Sequence, residues 1–223
     1  MGRRFAAIAF TPRVRAEQAR IGSRANYARM EAEGRDDSAL GPAEAAFIAA
    51  RDSIYMASVS ETGWPYVQHR GGPPGFLRLL DPATIGFADL GGNRQHVSVG
   101  NLAGDDRVSL FLMDYPNRRR LKILGRARVV TRAEDAALVE RLAPEGLSAR
   151  AERAVLITVE GWDWNCPQHI TPRWTAEEIL PLAERLRAAE AEVAALRGAL
   201  GLAAEAAPSQ PRQTDSPAPG GAR

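Results

Sequence analysis

The sequence of 223 residues is poor in the side chains that build disulfide frameworks and metal centres. It has one cysteine, Cys166, so no intrachain disulfide can form, and this cysteine usage fits a reducing compartment. There are only three histidines, so a zinc site would have to recruit carboxylates from elsewhere in the chain. The composition therefore argues against a disulfide-stabilised scaffold and against a zinc module.

The sequence also lacks a long apolar run and a strong net charge. No stretch approaches the roughly 18 apolar residues that a membrane span needs. The short apolar segment near the N-terminus is interrupted by Thr11 and Pro12, without a clear cleavage pattern. Since the formal net charge is +2, binding to nucleic acid through overall charge is not implied. We expect a cytoplasmic protein whose partners are neither membrane nor nucleic acid.

With 45% hydrophobic and 25% charged residues, the composition is that of a globular protein. Composition along the chain predicts a helical arm, a β domain, an amphipathic helix and a disordered tail. Their respective ranges are 1–41, 42–174, 175–202 and 203–223. Within the arm we expect a helix from Arg13 to Glu33, then a turn over Gly34–Ser38.

Six short segments have the alternation and turn boundaries of β-strands. These are Ile54–Ser60, Tyr66–Arg70, Thr84–Leu90, Arg107–Asp114, Leu121–Val130 and Ala154–Trp162. Few helices separate them, which predicts a mainly β fold, an antiparallel barrel or sandwich with flanking helices.

Two capping-box patterns mark helix starts outside the strands. Thr131 with Glu134 begins one helix, and Thr175 with Glu178 begins another. In the second helix, apolar residues recur at alternating spacings of three and four, as in a coiled-coil seam. They are Ile179, Leu182, Leu186, Ala189, Val193, Leu196 and Leu200. Packing on the chain's own barrel and pairing in a dimer both account for this seam.

The stretch Phe87–Leu102 passes from a strand through two glycines into a predicted short helix opening with Asn93, Arg94 and Gln95. This arrangement predicts a phosphate-binding site, formed by free N–H groups at the helix start, an amide and a guanidinium. The alternative is that Asn93 simply caps the helix and Arg94 is solvated.

A second polar group ends the second predicted strand. Gln68 and Arg70 share one face of that strand and His69 lies on the other, before a loop rich in Gly and Pro. This pattern is typical of a binding site, although an ordinary surface strand also fits it.

The basic run Asn117–Lys122 enters another strand. It is either a solvated hairpin tip or, through Arg120 and Lys122 on one face, a ligand contact.

Cys166 and His169 lie in a segment that also contains Trp162, Trp164 and Arg173. A metal site or a Cys-His nucleophile pair lacks further ligands or an orienting group nearby. Indoles near a cofactor pocket, or plain core packing of the tryptophans, explain the segment more simply.

Three stretches, "GWPYVQHRGGPPGF", "TIGFADLGGNRQHVSVGNLAGDDRVSLFLMD" and "RRRLKILGRARVV", occur in an order that resembles the pyridoxamine 5'-phosphate oxidase-like family of flavin-binding split β-barrels. The similarity covers roughly Phe47 to Trp162. It implies a six-stranded antiparallel split β-barrel that forms a homodimer, with FMN in clefts at the interface.

The resemblance also implies positions for the cofactor contacts. Gln68, His69 and Arg70 stand on the first FMN-contacting strand, and Ala88 and Asp89 on the next. Asn93, Arg94 and Gln95 stand at the phosphate-binding position, and Arg120, with Lys122 on the same face, near the flavin ring.

The chain departs from the oxidases proper at three cofactor positions. It has Gln68 where they carry an arginine, and Pro73 and Gln95 where they carry lysines. It also lacks their C-terminal signature for pyridoxal phosphate. We therefore expect an FMN-dependent oxidoreductase acting on an unidentified small molecule, and not the oxidase itself. The alternative is a non-catalytic module that binds flavin or haem for storage, sensing or interaction.

Overall fold

The computed structural model describes residues 3–32 and 36–201, so the predicted tail and the first two residues of the predicted turn, Gly34 and Arg35, lie outside the described residues. The helices within these ranges are α1 (Arg4–Ala9), α2 (Pro12–Arg20), α3 (Arg24–Ala32), α4 (Pro42–Ala49), α5 (Val97–Gly104), α6 (Arg132–Leu142) and α7 (Ala176–Ala199). The strands are β1 (Ser53–Val59), β2 (Pro65–Gly71), β3 (Arg78–Asp81), β4 (Thr84–Leu90), β5 (Arg107–Asp114), β6 (Arg119–Thr131) and β7 (Ala151–Trp164).

The fold is mainly β with flanking helices, as predicted, but the described sheet has seven strands instead of six. All neighbouring strands are antiparallel, in the order β2-β1-β5-β6-β7-β4-β3. The additional strand, β3, has only four residues and pairs with β4 at the sheet edge. Four residues are too few to establish an alternation in the sequence, which is why this strand was not predicted.

The N-terminal arm differs from the single helix predicted over Arg13–Glu33. Within the described residues, α1 comes before that range, and α2 and α3 are separate helices. Gly22, in the turn between α2 and α3, has φ +80°. This left-handed conformation is a common way to end a helix, so the predicted helix is interrupted there.

The main hydrophobic core lies inside the curved sheet. Its fully buried strand residues come from β1, β4, β5, β6 and β7, and they include Ile54, Leu110, Ile123 and Ile157. The helix α4 contributes Phe47 and Ile48 to the same core. The predicted period-two alternation is confirmed in β1, β5 and most of β6, whereas β4 is buried along nearly its whole length and does not alternate.

Buried Asp37 fixes the start of α1. Its Oδ1 accepts hydrogen bonds from the backbone N–H groups of Arg4 at 2.5 Å and Phe5 at 3.3 Å, and its Oδ2 lies 3.5 Å from Nε of Arg3. The first N–H groups of a helix have no partner within the helix. A carboxylate here satisfies two of them and complements the helix dipole.

Asp37→Ala is expected to lower the free energy of unfolding by about 2–3 kcal/mol, because it leaves these partly buried donors without their acceptor. Chemical denaturation monitored by tryptophan fluorescence measures the effect. The matched control is Asp36→Ala, since the neighbouring carboxylate is exposed and, among the described residues, accepts hydrogen bonds only from Ser38. Equal effects of the two variants would contradict the anchoring role of Asp37.

The chain divides into two compact units, residues 1–173 and 174–223. The first contains the sheet and helices α1 to α6, and the second contains α7. Among the described residues, no helix combines the length and apolar character required to cross a bilayer.

Candidate functional site

A cleft of about 300 Å³ is bordered by β2, β4 and the loop that follows β4. Its volume is at the lower end of the range for small-molecule sites. Seven of the ten predicted site residues line it, namely Gln68, His69, Arg70, Ala88, Asp89, Asn93 and Arg94. Two segments separated by about twenty residues in the sequence thus meet in one place.

The other three predicted residues are not part of this lining. Gln95 is exposed, and its backbone N–H donates to Oδ1 of Asn93 at 3.2 Å. Arg120 and Lys122 lie on β6, where they pair with Met113 and Phe111 of β5. A single chain therefore brings together the β2 and β4 parts of the predicted site but not the basic residues of β6.

Alternation along β2 places Gln68 and Arg70 on the less exposed face and His69 on the other, as predicted. The His69 ring packs edge-to-face on Tyr55, with centroids 5.6 Å apart. Oε1 of Gln68 accepts a hydrogen bond from the Ser98 hydroxyl at 2.9 Å. This bond fixes the first turn of α5 against β2, and thereby the end of the loop at the cleft.

Arg70 is the cation held most firmly in the cleft. One of its terminal nitrogens donates to Oδ1 of Asp89 at 2.5 Å, and its guanidinium carbon lies 6.0 Å from the centre of the Phe87 ring. Its Nε is buried and has no hydrogen-bond partner among the described residues. A buried donor without an acceptor is costly. This nitrogen is therefore a candidate donor to an oxygen atom of a bound ligand.

Asp89 is the carboxylate that forms ion pairs with the arginines at this site. It is 8% exposed, and its second oxygen lies 3.6 Å from Nε of Arg153. Arg153 is opposite Asp89 in the pairing of β4 with β7. One buried carboxylate thus holds two arginines, and it restrains Arg70 before any ligand is bound.

A second carboxylate, Glu152, borders the cleft together with Arg94 and His96. Its hydrogen bond from Arg153 at 2.6 Å lowers the pKa of Glu152, and the charges of Arg153, His96 and Arg94 lower that pKa further. Glu152 is therefore ionised at neutral pH. An anion bound near Arg94 must compete with it for that arginine.

The predicted helix start at Asn93 is wrong, because α5 begins at Val97. Residues 93–96 form a loop in which Arg94 and His96 have φ +58° and +54°. Oδ1 of Asn93 bonds to the N–H two residues later, a local turn that competes with helix formation. The loop still presents Asn93 and Arg94 to the cleft, but through turn geometry and not through a helix terminus.

Sequence reasoning missed several residues of the site. Phe76 and Phe87 provide apolar lining, while Glu152 and His96 provide charge and an imidazole. The predicted last strand started at Ala154, whereas β7 starts at Ala151 and includes Glu152 and Arg153. The sequence does contain a signal for the earlier start, because alanine alternates with charged residues just before the predicted strand.

Comparison with solved structures finds proteins of low sequence identity. A putative pyridoxamine 5'-phosphate oxidase from Lactobacillus delbrueckii is 20% identical, with a TM-score of 0.44 over 56% of this chain and 94% of that chain. HupZ of Group A Streptococcus is 14% identical, with a TM-score of 0.47 over 60% and 99%. The haem storage protein HutZ of Vibrio cholerae is 18% identical, with a TM-score of 0.39 over 56% and 94%. No curated protein matches the chain significantly.

The sequence profile described as pyridoxamine 5'-phosphate oxidase matches residues 40–166. This range is more than half of the chain. It contains all seven described strands, β1 to β7, and every residue of the cleft named above. The chain therefore belongs to the pyridoxamine 5'-phosphate oxidase family.

Proposed function

We propose that this chain is a flavoprotein that binds FMN in the cleft and catalyses a redox reaction on a small molecule. The observation that supports this most directly is Arg70, whose buried Nε has no hydrogen-bond partner in the described part of the chain and which lies in the same cleft as Arg94. Membership of the family makes a flavin the first ligand to test. Bound FMN would supply hydride or electron transfer, while the protein supplies binding, orientation and access.

The residues present suit a ligand with an anionic end and an aromatic end. Arg94 and Asn93, on the loop after β4, would hold the phosphate. Arg70, restrained by Asp89 at 2.5 Å, would donate its Nε hydrogen to a ligand oxygen. The rings of Phe76 and Phe87 provide an apolar wall.

We also propose that the protein acts as a homodimer. Arg120 and Lys122 are absent from the lining of the cleft in one chain, and Nε of Arg120 is buried without a hydrogen-bond partner within residues 3–32 and 36–201. A cleft completed at an interface would let the basic face of β6 in a second copy approach the ligand. There it would stabilise negative charge on a reduced flavin.

The test is the absorbance spectrum of the protein purified from cells, followed by titration of the ligand-free protein with FMN. We expect flavin absorbance bands or uptake of one FMN per chain, with weaker binding of riboflavin because it lacks the phosphate. Reduction by NADH or NADPH, with turnover in the presence of an acceptor, would support the oxidoreductase role. A protein that neither contains nor takes up FMN would rule the proposal out.

One observation favours a different ligand class, since His96 borders the cleft and imidazole is a common axial ligand of haem iron. The corresponding function is a haem-binding module without turnover. A Soret band on titration with hemin, lost in His96→Ala and accompanied by no FMN uptake, would identify this alternative.

A further inference from the structure

The helix α7, all of whose residues are described, buries none of them. The seven apolar residues at alternating spacings of three and four, from Ile179 to Leu200, are here named the seam. Every seam residue is exposed, and the exposed fractions of its larger members run from 46% for Ile179 to 72% for Leu200. We propose that α7 pairs with α7 of a second copy of this chain as a parallel two-stranded coiled coil.

The residue types in the seam favour two parallel strands. With Ile179 at position a of a heptad, the a positions are Ile179, Leu186, Val193 and Leu200, and the d positions are Leu182, Ala189 and Leu196. Two of the four a residues, Ile179 and Val193, are β-branched and two of the three d residues are leucine, a combination that favours parallel dimers over higher oligomers. Pro181 falls at position c, away from the seam.

The charges beside the seam specify the direction of pairing. In a parallel dimer each g residue faces the e residue five positions later on the other helix. Arg185 at g then faces Glu190 at e, and Glu192 at g faces Arg197 at e. Both pairs are attractive, and the two-fold symmetry repeats each of them.

The pairing of charges at the e and g positions makes the antiparallel arrangement less favourable than the parallel one. When the two seams are aligned on their centres in opposite directions, e residues face e residues. Glu190 then lies opposite Glu190 of the second copy, which is repulsive, while the g residues Arg185 and Glu192 face each other attractively. The parallel arrangement avoids this contact, and the charge pattern therefore selects a second copy in the same orientation.

Disulfide trapping in the full chain tests this proposal independently of FMN binding. In a Cys166→Ser background, Ala189→Cys places a thiol at a central d position. The matched control, Ala191→Cys, places it two residues away at the outward f position. Under mild oxidation at low protein concentration we expect at least about tenfold more covalent dimer from Ala189→Cys, measured by non-reducing electrophoresis. Equal yields at the two positions, or no dimer at Ala189→Cys, would overturn the proposal.

Charge exchange in the Ala189→Cys protein tests the orientation. Arg185→Glu should reduce the yield of covalent dimer several-fold, because it places Glu opposite Glu190. Adding Glu190→Arg should restore the yield. Restoration by Glu192→Arg instead would indicate g-to-g contacts and hence an antiparallel pair, which contradicts the proposal. FMN uptake by these variants should stay unchanged, so failure of the coiled coil is distinguishable from failure of the cofactor site.

Discussion

Arg94→Ala is expected to weaken FMN binding about 10- to 100-fold, the effect of removing one charge-assisted hydrogen bond to a phosphate. Riboflavin binding should change little, because riboflavin has no phosphate for Arg94 to contact. Fluorescence titration of the ligand-free protein with both flavins measures the two affinities. The selective loss of FMN affinity would locate the phosphate at the loop after β4.

Arg118→Ala is the matched control for this experiment. Arg118 is also an exposed arginine with positive φ, +52° against +58° for Arg94, so both substitutions impose a similar backbone cost. We expect the control to keep the original FMN affinity. An equal loss for both variants, or equal losses of FMN and riboflavin affinity in Arg94→Ala, would contradict the assignment.

A second substitution in the same site is expected to raise FMN affinity instead of lowering it. Glu152 is ionised and lies near Arg94 and His96, so Glu152→Gln removes a carboxylate that competes with the phosphate. FMN affinity should rise by a few-fold, and the gain should shrink at high salt because the charges are partly solvent-screened. A loss of affinity would indicate that Glu152 contributes to ligand binding in another way.

Gly125→Ala is expected to destabilise the fold by about 3 kcal/mol or more, since overpacking against a rigid neighbour forces backbone shifts. A Cβ at this position would lie 2.4 Å from the carbonyl oxygen of Thr158 and 3.0 Å from Ile157 Cγ2. Gly125 lies where the register between β6 and β7 shifts. Because the obstructing atom belongs to the backbone of a central strand, it cannot rotate away.

Thermal unfolding followed by circular dichroism measures this effect, and at about 2–4 °C per kcal/mol we expect the Tm to fall by roughly 6–12 °C. Gly100→Ala is the matched control. It makes the same substitution in α5, where a Cβ would meet no atom within 4 Å. There alanine should stabilise the helix by about 0.5–1 kcal/mol. Similar Tm changes of the same sign in both variants would contradict the close-approach explanation.

Local patterns in the sequence predicted the parts of the fold that depend on local rules. Alternation identified six of the seven described strands and placed Gln68 and Arg70 on one face of β2. The Thr131 and Thr175 capping boxes predicted the starts of α6 and α7, and both boxes are formed. These features follow from side-chain spacing and hydrogen bonds within four residues, which the sequence contains explicitly.

The candidate site was predictable only in part, and largely through the family resemblance. The positions from Gln68 to Arg70 and from Ala88 to Arg94 do converge. The conformation of the loop from Asn93 was not predicted, because an Asx turn and a helix cap have the same residue preference. The tertiary structure alone shows which of the two forms here.

The sequence by itself determined the strands, the capped helices and the seam of α7, because each of these is a periodic or short-range pattern. Only the tertiary structure decided the contacts of the cleft. Asp89 holds Arg70 from β2 and Arg153 from β7, residues separated by 83 positions. That pairing depends on how β4 registers against β7 and how the curved sheet brings β2 near β4. No periodicity within a single segment encodes such a register, since it is fixed by the packing of the whole core.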